Sequence, residues 1–161
     1  MSLFYILDGY NIIKSGLIPG FERKTLEQQR AHLVQLIEKT RPQGSKNNSI
    51  MIVFDGSYEM SFLHPQKEVT KTGIAVVYSG GESADEKIEE IVLAYPNPAD
   101  IVIVSNDKGI RRRVGGRGVK HLDVRQFAGR IAREKESFSA SDSGGDMNDI
   151  TDEMKKEWRI K

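Results

Sequence analysis

Apolar residues occur in short runs rich in Ile and Val, separated by longer polar stretches. These runs extend over Leu3–Leu7, Ile50–Phe54, Ile74–Tyr78 and Ile101–Val104, and a fifth short strand is expected at Val119–Leu122. The second and fourth runs are nearly continuous rather than alternating, which is typical of strands buried on both faces of a parallel sheet. The pattern therefore predicts about five strands.

Between these strands, apolar residues recur at the three- and four-residue spacing of amphipathic helices. The predicted helices extend over about Thr25–Thr40, Ala84–Tyr95, Asp107–Val114 and Val124–Lys135. Pro and Gly residues follow the first three and end them. Strands that alternate with helices indicate right-handed crossovers. We expect an α/β fold, a three-layer α/β/α sandwich with a doubly wound and mostly parallel sheet.

The chain is predicted to have three parts. Residues 1–136 form the domain, and within it Ser57–Thr70 is expected to be an irregular surface loop. Residues 137–149 are rich in Ser, Gly and Asp, a composition typical of a flexible linker. Residues 150–161 have an apolar residue at every fourth position, which predicts a short C-terminal helix. This helix either packs back on the domain or engages a partner, and packing back is favoured because it buries the single Trp without a second molecule.

Composition excludes several classes of site. The 161 residues include no cysteine, so disulfides, thiolate zinc sites and cysteine nucleophiles are ruled out. No apolar run approaches the roughly 20 residues that a membrane span needs. The N-terminus enters a strand pattern at once, without the regions of a signal peptide. We expect a soluble, cytoplasmic protein with no membrane partner.

Four acidic residues lie at or just beyond the ends of predicted strands. They are Asp8, Asp55, Asp85 and Asp107. An open α/β sheet gathers its functional groups outside the carboxyl ends of its strands, so these carboxylates are expected to converge. Such a cluster repels itself unless protons or a cation neutralise it. A hard divalent ion with oxygen ligands is the expected partner.

Each of these positions also has a purely structural interpretation. Asp8 could form an Asx-turn before Gly9. Ser83 and Glu86 match a helix capping box, which favours a structural role for Glu86. Asp85 and Asp107 could simply favour the dipoles of their helices, with Ser105 or Asn106 as the cap of the second. Asp55 precedes Gly56, and Asp-Gly is a frequent turn, so Asp55 ranks below the other three. The case for a site depends on the acids as a group.

Two residues beside Asp8 are further candidates. Gly9 is expected to let the chain turn sharply after the first strand. Asn11 could orient Asp8 or hold a metal-bound water. Tyr10, together with Tyr58 and Phe62 in the loop after the second strand, could stack on bases, although loop aromatics often serve only to anchor a loop.

A basic stretch follows the acidic positions. From Lys108 to Lys135 there are ten basic and two acidic residues, a net charge of +8, whereas the whole chain carries +1. Such a stretch suits a phosphate polyanion, although charged runs are usually solvated helix faces. The residues expected to bind the phosphates of a nucleic acid are Arg111, Arg112, Arg113, Arg117 and Lys120.

No histidine site and no nucleotide-cofactor site is expected. The three histidines are too widely separated for metal-ligand spacing. The glycine-rich segment Ser79–Gly81 does not match the P-loop pattern, and no dinucleotide fingerprint follows the first strand.

Several short motifs occur in a familiar order. They are Ile6–Asn11, Val53–Gly56, Glu82–Ile88 and Val104–Asp107, followed by Ile110–Arg113. Together they resemble the YacP-like NYN-domain proteins, bacterial members of the PIN-like nuclease superfamily. The resemblance extends from about Leu3 to Ile131. Several motifs in the correct order make it more specific than any one of them.

The resemblance implies a PIN-like sheet, Mg²⁺ or Mn²⁺ as cofactor, and endonucleolytic cleavage of RNA to 5′-phosphate and 3′-hydroxyl ends. Some relatives act in association with ribosomes, so the ribosome is a second expected partner. Carried over by position, the metal-binding and catalytic acids are Asp8, Asp85 and Asp107, with Asn11 beside them. Asp55, in the shared Phe-Asp-Gly motif, and Glu86 are additional metal-ligand candidates.

The leading hypothesis is therefore a metal-dependent endoribonuclease. An RNA- or ribosome-binding module without catalysis is the main alternative, since the same basic residues would serve it. A metal-dependent phosphatase for small phosphoesters shares the carboxylate chemistry, but a small substrate has few phosphates for a basic stretch to bind.

Overall fold

The computed structural model describes residues 2–56 and 67–142. The strands are β1 (Phe4–Asp8), β2 (Ser49–Phe54), β3 (Lys67–Val69), β4 (Ala75–Tyr78), β5 (Ile101–Val104) and β6 (Lys120–Leu122). The helices are α1 (Gly9–Lys14), α2 (Leu26–Thr40), α3 (Ala84–Ala94), α4 (Lys108–Val114) and α5 (Val124–Asp142). Short 3₁₀ turns at Pro98–Asp100 and Gly115–Arg117 precede β5 and β6.

These strands form one sheet in the order β3-β4-β2-β1-β5-β6, with β1 and β2 at its centre. Every neighbouring pair is parallel except β3 with β4. The predicted α/β fold with a mostly parallel sheet is confirmed, but the described part of the chain has six strands rather than five. The additional strand, Lys67–Val69, was predicted to be loop. All three of its residues are exposed, so backbone pairing at the sheet edge, and not an apolar pattern, defines it.

Helices cover both faces of the sheet, which gives the expected three layers. On one face α1, α2 and α5 contribute Ile12, Leu33 and Phe127 to a core that includes Leu7 and Ile52 of the sheet. On the other face, α3 and α4 pack against the alternate strand residues. That second core includes Ile6, Ile103, Ile88, Val92 and Ile110. Burial of strands on both faces explains why their apolar runs are nearly continuous.

Helix α1 was not predicted, because Asp8-Gly9 was interpreted as a sharp turn. The chain does change direction at Gly9, where β1 passes directly into α1, but Gly9 does not have a positive φ angle, so backbone freedom is not what requires glycine there. A Cβ at Gly9 would lie 2.4 Å from Cε1 of Phe54. Glycine is needed here because α1 starts against the end of β2, and this close approach fixes the direction in which the chain leaves Asp8.

Helix α5 is longer than predicted. It continues to Asp142 and so includes the first six residues of the segment expected to be a linker from Ser137. The remaining linker residues and the predicted C-terminal helix lie outside the described residues, so the three-part division stays a prediction. Among the helices that the structure describes, none is both long and apolar enough to cross a membrane.

Candidate metal centre

Three carboxylates meet at the carboxyl end of the sheet. Asp8 is the last residue of β1, Asp85 lies in the first turn of α3, and Asp107 directly precedes α4. One oxygen from each of them lies within 4.8 Å of the others. Residues far apart in the sequence thus converge where parallel strands end, as expected for an open α/β sheet.

Asp8 is the most buried of the three, with only 7% of its surface exposed. Its Oδ2 accepts a hydrogen bond of 3.2 Å from the hydroxyl of Ser105, and Ser105 Oγ accepts a 3.0 Å bond from the backbone N–H of Asp107. Asp8 precedes α1 and makes no capping hydrogen bond of full geometry, although the backbone N–H of Asn11 in the first turn of α1 lowers the pKa of its carboxyl. Its carboxylate also belongs to the cluster, so a local turn role alone does not account for its position.

Burial and charge repulsion raise the pKa values of Asp8 and Asp85. The pKa of Asp8 is raised from 3.8 to about 6, mainly by burial and then by the charge of Asp85; the Ser105 hydroxyl acts in the opposite direction. The pKa of Asp85 is also raised, first by burial and then by a hydrogen bond and charge repulsion from Asp107. Arg113 opposes this shift at Asp85. The positive charge near these carboxylates is therefore too small to neutralise them.

Asp107 has two roles, as a member of the acidic cluster and as a helix cap. It is itself the N-cap of α4, because its Oδ1 accepts a 2.7 Å hydrogen bond from the N–H of Gly109. The expectation that Ser105 or Asn106 caps this helix is wrong. A Cβ at Gly109 would lie 3.0 Å from that oxygen and 3.9 Å from Oδ2 of Asp85. Gly109 therefore keeps space open beside two of the acids, a role that no pattern in the sequence indicates.

Asn11 connects α1 to the loop that follows β5. Its Oδ1 accepts a 2.9 Å hydrogen bond from the backbone N–H of Asn106. The side chain of Asn106 in turn accepts a 3.0 Å bond from the N–H of Val124 at the start of α5. These bonds fix the loop that bears Ser105 and Asp107. The side-chain oxygen of Asn11 is therefore used to hold the loop after β5.

The two additional metal-ligand candidates do not join the three converging acids. Asp55 is exposed, and its Oδ1 accepts a 3.3 Å hydrogen bond from Ser79 Oγ, although its charge contributes to the raised pKa of Asp85. Glu86 is exposed as well, and its backbone N–H donates to Ser83 Oγ at 3.2 Å. That bond is half of the expected capping box and supports the structural interpretation of Glu86.

The three converging acids fit a divalent cation. Direct Mg²⁺–oxygen bonds are about 2.0–2.1 Å long, so two direct ligands can be at most about 4.2 Å apart. The observed limit of 4.8 Å needs a shift of a few tenths of an ångström, or one water between an acid and the ion. Hard carboxylate oxygens suit Mg²⁺ or Mn²⁺ better than softer metals.

The basic residues predicted to bind RNA begin in the last turn of α4 and continue towards the amino end of the sheet. Arg111, Arg112 and Arg113 are exposed on α4, and Arg113 also pairs with Glu89 at 3.2 Å. Arg117 precedes β6, and Lys120 begins that strand. Both therefore lie at the amino end of the sheet.

Two predicted RNA-binding side chains are held by the fold. Lys120 donates through Nζ to the carbonyl of Ala99, just before β5. The hydroxyl of Tyr10 accepts a 2.7 Å hydrogen bond from Arg30, and its ring lies 5.2 Å from that of Phe54. Tyr10 thus packs on the α2 side of the sheet. The aromatic residues expected in the loop after β2, Tyr58 and Phe62, lie outside the described residues.

Comparisons with known proteins agree with this fold. The family model described as the YacP-like NYN domain matches residues 5–160. The crystal structure of Rae1 (YacP) from Bacillus subtilis is 20% identical, with a TM-score of 0.68 over 97% of this chain and 91% of that one. A tryptophan-to-leucine mutant of the same protein is 21% identical, with a TM-score of 0.63 over 97% and 92% of the two chains. No curated protein sequence matched the chain.

Proposed function

Because this chain belongs to the YacP-like NYN domain family, a family of nuclease-like domains, we propose that it is a metal-dependent endoribonuclease. The observation that carries the proposal is the convergence of Asp8, Asp85 and Asp107 at the carboxyl end of the sheet. A buried, self-repelling carboxylate such as Asp8 is costly to the fold. A bound divalent ion removes that cost and gives the cluster a chemical purpose.

Each residue of the centre has a proposed role. Asp8, Asp85 and Asp107 hold Mg²⁺ or Mn²⁺, and Ser105 fixes the orientation of Asp8 through its hydroxyl. When bound, the ion supplies Lewis-acid stabilisation of the phosphate and lowers the pKa of a water. Asp85 is the more exposed of the two acids with raised pKa values, and it accepts the proton of the attacking water.

The RNA backbone is held mainly by α4. Its three exposed arginines, Arg111–Arg113, lie on the helix that begins at Asp107. Phosphate contacts of this kind position an RNA without reading its sequence. Arg117 and Lys120, at the other end of the sheet, are outside this contact for a short RNA. That the ribosome presents the substrate stays a prediction from the resemblance, and co-sedimentation with ribosomes tests it.

The test is cleavage of an end-labelled RNA with and without Mg²⁺ or Mn²⁺. Asp8→Asn and Asp85→Asn are expected to remove cleavage while RNA binding persists. The control is Asp100→Asn, the same substitution at the amino end of the sheet. Metal-independent RNA binding without products would favour the binding module instead. Undiminished cleavage by both acid variants would overturn the proposal.

A further inference from the structure

A groove opens at the amino end of the sheet, between α5 and the turn that follows α2. It has a volume of about 300 Å³, within the range typical of small-ligand sites. The turn leads into the start of β2, so this groove and the metal centre lie at opposite ends of the sheet. The residues that line this α5 groove are Pro42, Gln43 and Gly44 on one side and Arg130, Arg133 and Glu134 on the other.

Arginines supply most of the charge in the α5 groove. Arg130 is half-buried, donates to the hydroxyl of Tyr5 at 2.9 Å, and has its guanidinium 5.8 Å from the ring centroid of Tyr5. This contact fixes the guanidinium in the wall of the groove and leaves its other N–H groups for a ligand. Arg133 is exposed, about one helical turn further along α5. Glu134 is the single acid of the lining, so the lining carries a net positive charge.

The turn on the other side adds positive charge. Arg41 begins this turn, because its carbonyl accepts a 3.0 Å hydrogen bond from the N–H of Gly44. Its side chain is exposed, and the loop from Arg41 to Asn48 also contains Lys46 and no acidic residue. Arg41 has a φ of 49°, a left-handed conformation that glycine adopts at lower cost. Although a cation also suits the end of α2, the arginines on both sides of the groove match the bidentate geometry of phosphate oxygens.

The α5 groove is too far from the acids to bind the same phosphate. Val124, at the start of α5, donates to Asn106 in the loop that bears Asp107. Arg133 follows Val124 by nine residues, which is about 14 Å along the helix. A polyanion bound at both places must therefore extend from one end of the sheet to the other.

We propose that the α5 groove binds the sugar–phosphate backbone of the RNA at a point remote from the cut. The identity of the polyanion rests on the proposed function, which the inference extends to an end of the sheet that has no other assigned role. A long RNA then contacts both ends of the sheet, whereas a short RNA contacts only the acidic end. Affinity should therefore rise with RNA length.

The experiment removes two charges from the α5 groove and compares the result with the loss of two charges elsewhere. The groove variant combines Arg41→Gly with Arg133→Gln, both at exposed positions. The matched control combines Lys67→Gln with Lys71→Gln, which removes two exposed charges from β3 and the turn after it, at the edge of the sheet. Fluorescence anisotropy in EDTA measures binding of a long and a short single-stranded RNA over a range of salt concentrations. Arg133→Gln alone replaces the groove variant if that protein does not fold.

We expect the groove variant to bind the long RNA about tenfold more weakly than the control, with a salt slope smaller by about 0.7 for each lost phosphate contact. The short RNA should bind both variants equally. The melting temperature of the groove variant should not fall, since glycine relieves the left-handed backbone at position 41. Equal affinities of the two variants for the long RNA would overturn the proposal, and so would an equal loss for the short RNA.

Two further measurements separate the α5 groove from other ligands and from the nuclease proposal. Thermal stabilisation by inorganic phosphate or by a polyglutamate peptide that depends on Arg133, with RNA binding unchanged, would assign the groove to another anion and overturn the proposal. If the wild-type protein does not cleave RNA, the nuclease proposal fails, while binding in EDTA still decides whether the groove holds RNA.

Discussion

The two ends of the sheet treat charge in different ways. At the carboxyl end, Asp8, Asp85 and Asp107 lie together with raised pKa values at two of them. At the amino end, Lys120 is bonded to a backbone carbonyl, and Arg117 is exposed. Negative charges are thus brought together at the carboxyl end despite their repulsion, whereas Lys120 at the amino end has a hydrogen-bond partner of its own. Concentrated like charge that the fold does not neutralise indicates a site for an external ion.

The net charge of a sequence segment does not show where its charges lie in the fold. The basic stretch is continuous in the sequence, but α4 and the turn after it carry it from the acidic end of the sheet to the opposite end. The acids, by contrast, are far apart in the sequence and converge. Strand direction, rather than sequence distance, decides which charges meet.

The largest expected effect is on the free energy of unfolding, when one acid is neutralised at each end of the sheet. The pKa of Asp8 is about 6 in the folded protein and 3.8 ordinarily, so its charged form destabilises the fold. One pKa unit corresponds to about 1.4 kcal/mol, so Asp8→Asn should stabilise the metal-free protein by up to about 3 kcal/mol. The gain should be complete above about pH 6 and disappear below about pH 4.

Urea denaturation in EDTA at several pH values measures this gain. Asp100→Asn at the amino end serves as the control and should show no comparable increase. Adding Mn²⁺ should stabilise the wild type and not Asp8→Asn. If Asp8→Asn is no more stable than the wild type at neutral pH, Asp8 does not carry the strain we assign to it.

A second difference concerns the glycines at the two ends. Gly9→Ala should destabilise the protein by about 1–3 kcal/mol, since the new Cβ would overlap Phe54 and overpacking typically costs this much. Gly115→Ala, after α4, should have almost no effect because nothing lies within 4 Å of its Cβ position. Thermal denaturation of the two variants gives the comparison. Equal stability losses would mean that α1 is not held as closely against β2 as the structure shows.

Sequence patterns predicted most of this architecture for a definite physical reason. Strands buried on both faces must be apolar throughout, and so β2 and β5 were found within one residue of their ends. Edge strand β3 was missed because its residues are exposed and carry no such pattern. Helix α1 was missed because a six-residue helix that begins with a glycine has the sequence pattern of a turn.

Only the part of the candidate site that lies near strand ends could be predicted from the sequence. Strand ends predict four candidate acids, and the family resemblance selects Asp8, Asp85 and Asp107 among them. The bond from Ser105 to Asp8 depends on the register of β1 and β5. Leu7 of β1 pairs with Val104 of β5, so the residues that follow them, Asp8 and Ser105, lie side by side. The exclusion of Asp55 and the open space beside Gly109 depend on side-chain direction, which a single sequence does not reveal.

The smallest expected effect separates the two groups of basic residues. Replacing Arg111 and Arg112 by Gln should weaken binding of a short RNA several-fold and reduce the salt slope by about 0.7 for each lost phosphate contact. The same replacement of Arg117 and Lys120 should leave both nearly unchanged. Anisotropy titrations over a range of salt concentrations measure these values. A larger loss from the amino-end pair would place the RNA away from the acids.

The central claim is that the three acids bind a divalent cation together, and Mn²⁺ titration of the RNA-free protein tests it most directly. Electron paramagnetic resonance counts free and bound Mn²⁺ in the wild type, Asp8→Asn, Asp85→Asn and Asp100→Asn. The account predicts saturable binding by the wild type and Asp100→Asn, and its loss in Asp8→Asn and Asp85→Asn. No saturable binding by the wild type, or equal binding by all four proteins, would contradict it.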